Sequence, residues 1–422
     1  MVSNVSVAIS SVAHALTRAR NEGFESASAA DVEEACFLAE LRRCRSSAAQ
    51  VQHPPGVFHS VDDHVMSLLQ TYLAHEAKQA AKGSSLVPAN LATAEGYEAK
   101  FDNVDPGWIW SLRDWIKKLR KHEFLDAAPG SQEIANDYRL ALLSDWGTGL
   151  YGAPVCARSI ESDKQAIDMV LHLGDIYYAG DADEVDERFL AHWPRHPGAA
   201  NRALNGNHEM YTGGNAYFDR ILGSAAFAQP ASYFALHNEH WLLVGLDTAY
   251  AEHDLYGTQT AWLRALADAL PGHGILLFSH HQPFSAFESQ GPLLQHKLMP
   301  LLSTGRVAAW YWGHEHSCVR YDRHPGWKMH GRCIGHSGFP YFRLVKNGAR
   351  NETRWVRFDA ANYLPGGVVL DGPNPYVTEN PARYGPNGYV TLDLKGRTVH
   401  ETYWAPDGDQ PLDEFDFEFE AP

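Results

Sequence analysis

Residues 138–147 read YRLALLSDWG, an apolar run that ends in Ser144 and Asp145. The same design occurs four more times: a run of apolar, β-type residues is followed at once by residues that can bind metal ions. Such runs alternate with helical segments such as GTQTAWLRALADAL (257–270), and this alternation predicts an α/β sheet. The later runs are IDMVLHLGD (167–175), RALNGNHE (202–209), ILLFSHH (275–281) and VAAWYWGHEH (307–316).

Each of the five runs carries its polar residues at its C-terminal end. The carboxyl ends of parallel strands meet at one edge of an α/β sheet, where ligands usually bind. Taken alone, Asp145 and Asp175 could be helix N-caps, and GNHE could be a tight turn. Five such ends in succession favour a common site instead. The candidate residues are Asp145, Asp175, Asn207, His208, His280, His281, His314 and His316.

These candidates combine carboxylate, amide oxygen and imidazole ligands, a set that suits iron, zinc or manganese. A phenolate can also bind ferric iron, and Tyr178 stands three residues after Asp175. Two metal ions about 3.5–4 Å apart can activate a water and clamp both oxygens of a phosphate ester displacement. The pattern therefore predicts a dinuclear-metal phosphoesterase.

The ordered blocks SDWG, GDIYY, GNHE, FSHH and GHEH resemble the signature of the calcineurin-like metallophosphoesterases, over roughly residues 138–420. They are most similar to the purple acid phosphatase branch, which has Asp-x-Gly in its first block, as in Asp145-Trp146-Gly147, and a Tyr three residues after the second Asp, as at Tyr178. The resemblance implies an α/β fold of four layers, in which two mixed sheets pack together and helices flank them.

The resemblance also implies two metal ions that share Asp175. A ferric ion would be bound by Asp145, Asp175, Tyr178 and His316. A divalent ion, Fe(II), Zn or Mn, would be bound by Asp175, Asn207, His280 and His314. His208 would contact the phosphate and protonate the leaving group, and His281 would line the phosphate pocket. The residues leave the choice of ligand between His280 and His281 open, and we favour His280 because it ends the strand. Tyrosinate bound to ferric iron would colour the protein.

The sequence departs from the family pattern at Ser144, where the family has Gly, and at Leu277, where it has Val. Glu209 and Glu315 are either partners that orient histidine ligands or exposed carboxylates. The acidic stretch DADEVDERF (181–189) is typical of a solvated first helical turn. His336 is expected to be an ordinary structural histidine, although it also follows a predicted strand.

Composition narrows the class of protein. The 422 residues carry a formal net charge of −16, which argues against nucleic acid as a partner. No apolar run approaches the roughly 20 residues that a membrane helix needs. The five cysteines form no regular framework and the N-terminus carries no secretory signal, so we expect a cytoplasmic protein. No pattern indicates an oligomeric state.

A helical N-terminal region is predicted for residues 1–130, because apolar residues recur there three and four apart. The metallophosphoesterase domain is predicted to comprise residues 131–422. The expected activity is hydrolysis of small-molecule phosphomonoesters. The alternatives are a phosphodiesterase of the same superfamily, acting on cyclic nucleotides or glycerophosphodiesters, and a non-catalytic regulatory protein.

Overall fold

The computed structural model describes residues 120–149, 151–227, 229–343, 352–360, 363–377, 381–408 and 410–420, together with Ser67 and Thr71. The chain divides into two compact units, residues 1–120 and 121–422. In the first unit only Ser67, Thr71 and Arg120 are described, so the helices predicted there lie outside the described residues. The boundary near residue 130 stays a prediction. Among the described residues, no helix is long and apolar enough to cross a membrane.

The described part of the second unit contains fifteen strands and five α-helices. The strands are β1 (Gln132–Glu133), β2 (Tyr138–Leu143), β3 (Met169–His172), β4 (Ala200–Ala203), β5 (Phe234–His237), β6 (Trp241–Leu246), β7 (Gly274–Ser279), β8 (Val307–Trp312), β9 (Cys318–Tyr321), β10 (His330–Ile334), β11 (Arg354–Phe358), β12 (Gly367–Asp371), β13 (Tyr389–Lys395), β14 (Thr398–Trp404) and β15 (Pro411–Glu418). The α-helices are α1 (Gly152–Glu161), α2 (Ala182–Glu184), α3 (Asn207–Met210), α4 (Gln259–Ala269) and α5 (Pro292–Leu302). Two π-helical turns (Val185–Leu190 and Tyr217–Leu222) and a 3-10 turn (Pro381–Arg383) complete the helical elements.

The smaller sheet has six strands in the order β15-β14-β13-β2-β3-β4. Strands β2, β3 and β4 are parallel, whereas β13, β14 and β15 join the sheet antiparallel. Leu143 pairs with His172, and His172 pairs with Ala203, so the three parallel strands end level with one another. This register brings Asp145, Asp175 and the start of α3 to the same edge.

The larger sheet has nine strands in the order β1-β5-β6-β7-β8-β10-β9-β12-β11. Strands β6, β7, β8 and β10 are parallel at its centre. The pairing of Leu246 with Ser279, and of Ser279 with Trp312, places the ends of β6, β7 and β8 side by side. Two antiparallel hairpins also form, β5–β6 in the larger sheet and β13–β14 in the smaller one.

Alternate residues of the central strands belong to two different hydrophobic cores, because successive side chains in a strand face opposite sides of the sheet. Leu140 and Leu142 lie in one core with Leu276 and Phe278, so this core joins the two sheets. The other core takes the opposite faces of the strands together with the apolar residues of α1, α4 and α5. Helices therefore cover the outer faces of two packed mixed sheets. The predicted fold class is confirmed.

A fully buried ion pair crosses the core between the sheets. Arg332 on β10 lies in the larger sheet, and its Nε donates to both carboxylate oxygens of Glu401 on β14 of the smaller sheet, at 2.9 and 2.8 Å. The hydroxyls of Tyr311 and Tyr403 donate to the same carboxylate at 2.7 and 3.0 Å. Buried charges are tolerated when they are paired and hydrogen-bonded in this way.

Candidate metal centre

Three of the predicted ligands adopt the left-handed backbone conformation, which residues other than glycine rarely take. The φ angles are 52° at Asp145, 76° at Asp175 and 66° at His314. Each residue lies just beyond the end of a parallel strand, where the chain must turn sharply. Such backbone strain costs of the order of 1–3 kcal/mol per residue and concentrates at functional sites. The sheets thus hold these three residues in an unfavourable backbone conformation, which fixes the positions of their side chains.

Two glycines allow the chain to pass close to the two carboxylates. A Cβ at Gly206 would lie 2.0 Å from Oδ1 of Asp175, and a Cβ at Gly313 would lie 2.7 Å from Oδ2 of Asp145. Any larger residue would collide with the carboxylate. The glycines of the GNHE and GHEH blocks are therefore required because the backbone passes so close to the two carboxylates.

A first group of ligand atoms comes from Asp145, Asp175 and His316, whose atoms all lie within 4.8 Å of one another. Oδ1 of Asp145 lies 3.5 Å from Nε2 of His316. The structure thus brings together three of the four residues predicted for the ferric site.

A second group is formed by Asp175, His280 and His314 under the same distance limit. Oδ1 of Asn207 lies 3.0 Å from both Nε2 of His280 and Nδ1 of His314. Nε2 of His280 is 3.3 Å from Oδ1 of Asp175, and its Nδ1 contacts the carbonyl of Leu173 at 2.9 Å, which orients the ring. Ligands at right angles around one ion are about 3 Å apart when each bond is about 2.1 Å. All four residues predicted for the divalent site converge.

The charges of the site fit bound cations. Asp145 and Asp175 are both fully buried, and Oδ1 of Asp145 accepts no hydrogen bond from the residues that the structure describes. Burial, reinforced by the nearby charge of Asp175, raises the pKa of Asp145 to about 8. Two ionised carboxylates in a dry site repel each other unless cations compensate them. The donor set, the convergent atoms and the two buried carboxylates therefore fit two metal ions that share Asp175.

The phenol at the first group is that of Tyr177. Its hydroxyl donates to Oδ2 of Asp175 at 3.2 Å and lies 2.5 Å from Nε2 of His316. The predicted residue, Tyr178, receives its neighbours differently: its backbone contacts Glu184 and His208, and its ring lies 5.4 Å from the guanidinium of Arg188. The hydroxyl of Tyr177, one residue before the position that the family spacing indicates, therefore lies beside the first group of ligand atoms.

Two buried carboxylates fix the loops that carry the ligands. Glu209 accepts the backbone N–H groups of Asp175 at 3.2 Å and Gly206 at 2.9 Å. Burial and the charge of Asp175 raise the pKa of Glu209 well above its usual range. Glu184 accepts the N–H groups of Tyr178 and Ala179 at 2.7 and 3.0 Å. The expectation of a solvated turn at residues 181–189 is therefore wrong for Glu184. This residue is buried, and it caps the loop that carries Tyr177 and Tyr178, here called the tyrosine loop.

His208 lies against the shared carboxylate. Its backbone N–H donates to Oδ1 of Asp175 at 3.1 Å, its Nδ1 lies 2.5 Å from the carbonyl of Tyr178, and its Nε2 is 3.9 Å from Oδ2 of Asp175. The ring of Tyr177 packs on the imidazole with centroids 3.7 Å apart. Because a neutral imidazole can use Nδ1–H toward the carbonyl, Nε2 is the atom of His208 that faces the metal groups.

Three further residues named in the sequence analysis are buried: Glu315, Trp146 and His336. Glu315 is buried, and burial raises the pKa of its carboxyl well above the usual range. Trp146 is buried and donates its indole N–H to the carbonyl of Arg188. His336 is buried, with Nδ1 3.2 Å from the carbonyl of Ile334, and burial lowers its pKa to about 4.

Sequence reasoning missed His253. It lies in the loop after β6, and its ring centroid is 4.0 Å from that of His281 and 5.1 Å from that of His314. The only signal available was its position beyond the end of a predicted strand, seven residues after Leu246.

Residues 138–318 match the family model described as calcineurin-like phosphoesterase. The resemblance to the calcineurin-like metallophosphoesterases is thereby confirmed over this stretch. No curated protein matches the chain.

Solved structures similar to this chain include GAP50, the anchor in the inner membrane complex of Plasmodium, with 12% identity, a TM-score of 0.49 and coverage of 67% of this chain and 89% of that chain. The purple acid phosphatase PPD1 from yellow lupin (Lupinus luteus) seeds has 15% identity, a TM-score of 0.47 and coverage of 69% and 55%. A dimetal phosphatase from Danio rerio has 12% identity, a TM-score of 0.42 and coverage of 67% and 99%.

Proposed function

We propose that this protein hydrolyses small-molecule phosphomonoesters at a dinuclear metal centre. The observation that carries the proposal is the position of Asp175, whose carboxylate belongs to both groups of ligand atoms. One carboxylate shared by two groups is the arrangement expected for two ions held close enough to act on one phosphate.

In this proposal Asp145, Asp175 and His316 hold the first ion, and Asp175, Asn207, His280 and His314 hold the second. The phenolic ligand is revised from Tyr178 to Tyr177, because the hydroxyl of Tyr177 lies among the first group. The family resemblance points to ferric iron in the first site and to Fe(II), Zn or Mn in the second. When bound, such a pair supplies an activated water and positive charge at the phosphoryl group.

The side chains around the ions would then bind the substrate and supply a proton to its leaving oxygen. His208 keeps its Nδ1–H on the carbonyl of Tyr178, so in the protonated, imidazolium form it would give the proton on Nε2 to the leaving oxygen. His281 has a buried Nε2 that has no hydrogen-bond partner among the described residues, and it lines the phosphate pocket. The surrounding sheets hold Asp145, Asp175 and His314 in their left-handed backbone conformations, so the site is assembled before substrate binds.

The test is turnover of p-nitrophenyl phosphate beside bis-p-nitrophenyl phosphate, using the full chain after separate reconstitution with iron, zinc and manganese. We expect preferential hydrolysis of the monoester and two metal ions per chain. In Asp175→Ala we expect loss of the hydrolysis and of both ions. Asp322→Ala, at an exposed ion pair, is the matched control. Preferential hydrolysis of the diester would favour the phosphodiesterase alternative. Folded protein that binds no metal and turns over neither ester would favour the regulatory alternative.

A further inference from the structure

We propose that His253, together with His281, binds the phosphoryl group of the substrate beside the second metal ion. This inference rests on the proposed function, because it takes His314 as a ligand of the second metal ion. It adds a substrate-binding residue to which neither the sequence blocks nor the family match assigns a role.

Three imidazoles from three neighbouring strands meet at the sheet edge. His253 follows β6, His281 follows β7 and His314 follows β8, and these strands lie side by side in parallel. One ring nitrogen from each of the three histidines lies within 4.8 Å of the other two. His281 and His314 are buried, whereas His253 is half-buried at the outer side of the cluster.

The hydrogen bonds of His281 point one N–H into this cluster. The hydroxyl oxygen of Thr248 accepts the backbone N–H of His281 at 3.0 Å and lies 3.1 Å from its Nδ1. We assign the Thr248 hydroxyl as the donor to Nδ1, which places the ring proton on Nε2. That Nε2 is fully buried and makes no hydrogen bond with the described residues. A buried donor of this kind calls for an acceptor from a ligand.

The loop that carries His253 is held firmly in place. His253 has a φ of 56°, again in the left-handed region. The N–H of Asp254 closes the turn on the carbonyl of Ala251 at 2.8 Å, and Nζ of Lys297 on α5 binds the Asp254 carboxylate at 2.8 Å and the carbonyl of Leu255 at 2.6 Å. A strained side chain fixed over two buried histidines has the geometry of a binding residue.

The chemistry of the cluster favours an anion over a third cation. His314 directs Nδ1 to the Asn207 oxygen at 3.0 Å, inside the second metal group, so it is already used by that ion. Only His253 and His281 then remain, and the described cluster contributes no carboxylate. Two imidazole N–H groups beside a metal ion suit the oxygens of a phosphoryl group, which accept hydrogen bonds.

The experiment measures binding of inorganic phosphate to the metal-loaded full chain by calorimetry, with KM and kcat for p-nitrophenyl phosphate. His253→Gly removes the imidazole while tolerating the left-handed backbone. We expect it to weaken phosphate binding about tenfold to hundredfold, the effect of losing a hydrogen bond to a charged group, and to raise KM more than it lowers kcat. His253→Asn keeps a donor and the backbone conformation, and should restore part of the affinity. His240→Gly, at a half-buried histidine near the β5–β6 turn, is the control.

Unchanged phosphate affinity in His253→Gly, in a protein whose wild type binds phosphate and hydrolyses ester, would overturn this inference alone. So would a third zinc equivalent in the wild type that His253→Gly removes. A metal-loaded wild type that neither binds phosphate nor hydrolyses ester would instead overturn the proposed function, and the inference with it.

Discussion

The hydroxyl of Tyr177 lies 2.5 Å from Nε2 of His316, and the same hydroxyl is 3.2 Å from the carboxylate of Asp175. The ring that carries it is fixed between His208 and Phe339, with centroid distances of 3.7 and 4.5 Å. A phenol held at this place can bind a ferric ion only as the phenolate. The tyrosine of the first site can therefore be identified by a spectroscopic property.

We expect Tyr177→Phe to abolish the visible charge-transfer absorption of the iron-loaded protein, because it removes the phenol oxygen nearest to the ligands. Tyr178→Phe, the matched control one residue away, should keep that absorption. The measurement is a visible spectrum of both variants and the wild type at equal iron content. Loss of colour in Tyr178→Phe alone would return the ligand to the position that the family spacing indicates. An iron-loaded wild type without the band would rule out a tyrosinate at either position.

The shared carboxylate leads to a second prediction, on metal content. Asp175→Ala should lower the bound metal by both ions, because Asp175 contributes to both groups of ligand atoms. Asn207→Ala should release one ion, because its Oδ1 lies with His280 and His314 in the second group only. Elemental analysis after reconstitution and desalting measures both. Retention of two ions by folded Asp175→Ala would show that the groups do not share this ligand.

The positions directly after strands were predictable from the sequence because strand ends in a parallel sheet must meet. Asp145, Asp175, Asn207 and His314 follow the ends of their strands by two to four residues, so their convergence needs only the sheet register. Spacing alone cannot choose between Tyr177 and Tyr178 as the phenolic ligand, because adjacent side chains point in different directions.

Two further residues show where sequence reasoning ends. Glu184 looks like part of a solvated acidic run, yet its carboxylate is buried because it accepts N–H groups from the tyrosine loop. His253 reaches the site only through the turn that Lys297 fixes from α5. Both placements depend on contacts between segments, and neither leaves a periodic pattern in the sequence.

The buried pair of Arg332 and Glu401 leads to a third prediction, on stability. Glu401→Leu leaves the guanidinium of Arg332 charged in the core between the sheets, and should lower the free energy of unfolding by about 3–5 kcal/mol. Replacing both residues, by Arg332→Met with Glu401→Leu, should restore only part of this loss, because the buried charge is gone but the hydroxyls of Tyr311 and Tyr403 have lost their acceptor. Asp322→Leu, at the exposed pair with Arg357, should cost about 1 kcal/mol or less. Urea unfolding of the four proteins tests this, and a double variant no more stable than Glu401→Leu would contradict it.

The last prediction concerns acid stability and the imidazole of His172 on β3. This ring is fully buried between Trp146, Phe189 and Trp193, and neither of its nitrogens hydrogen-bonds to the described residues. Burial lowers the pKa of His172 to about 3. In the unfolded chain a histidine takes up a proton near pH 6.5. The folded protein therefore keeps its full stability from this group above pH 6.5 and loses it as the pH falls toward 3, at up to about 1.4 kcal/mol per pH unit.

His172→Leu should remove this contribution, so the free energy of unfolding should fall less steeply with acidification in the variant than in the wild type. Urea unfolding at pH 7, 6 and 5 measures the two slopes, which should differ by the binding of about one proton below pH 6.5. Metal release on acidification affects both proteins and cancels in the comparison. Parallel pH profiles for His172→Leu and the wild type would show that His172 is not held neutral by its aromatic surroundings.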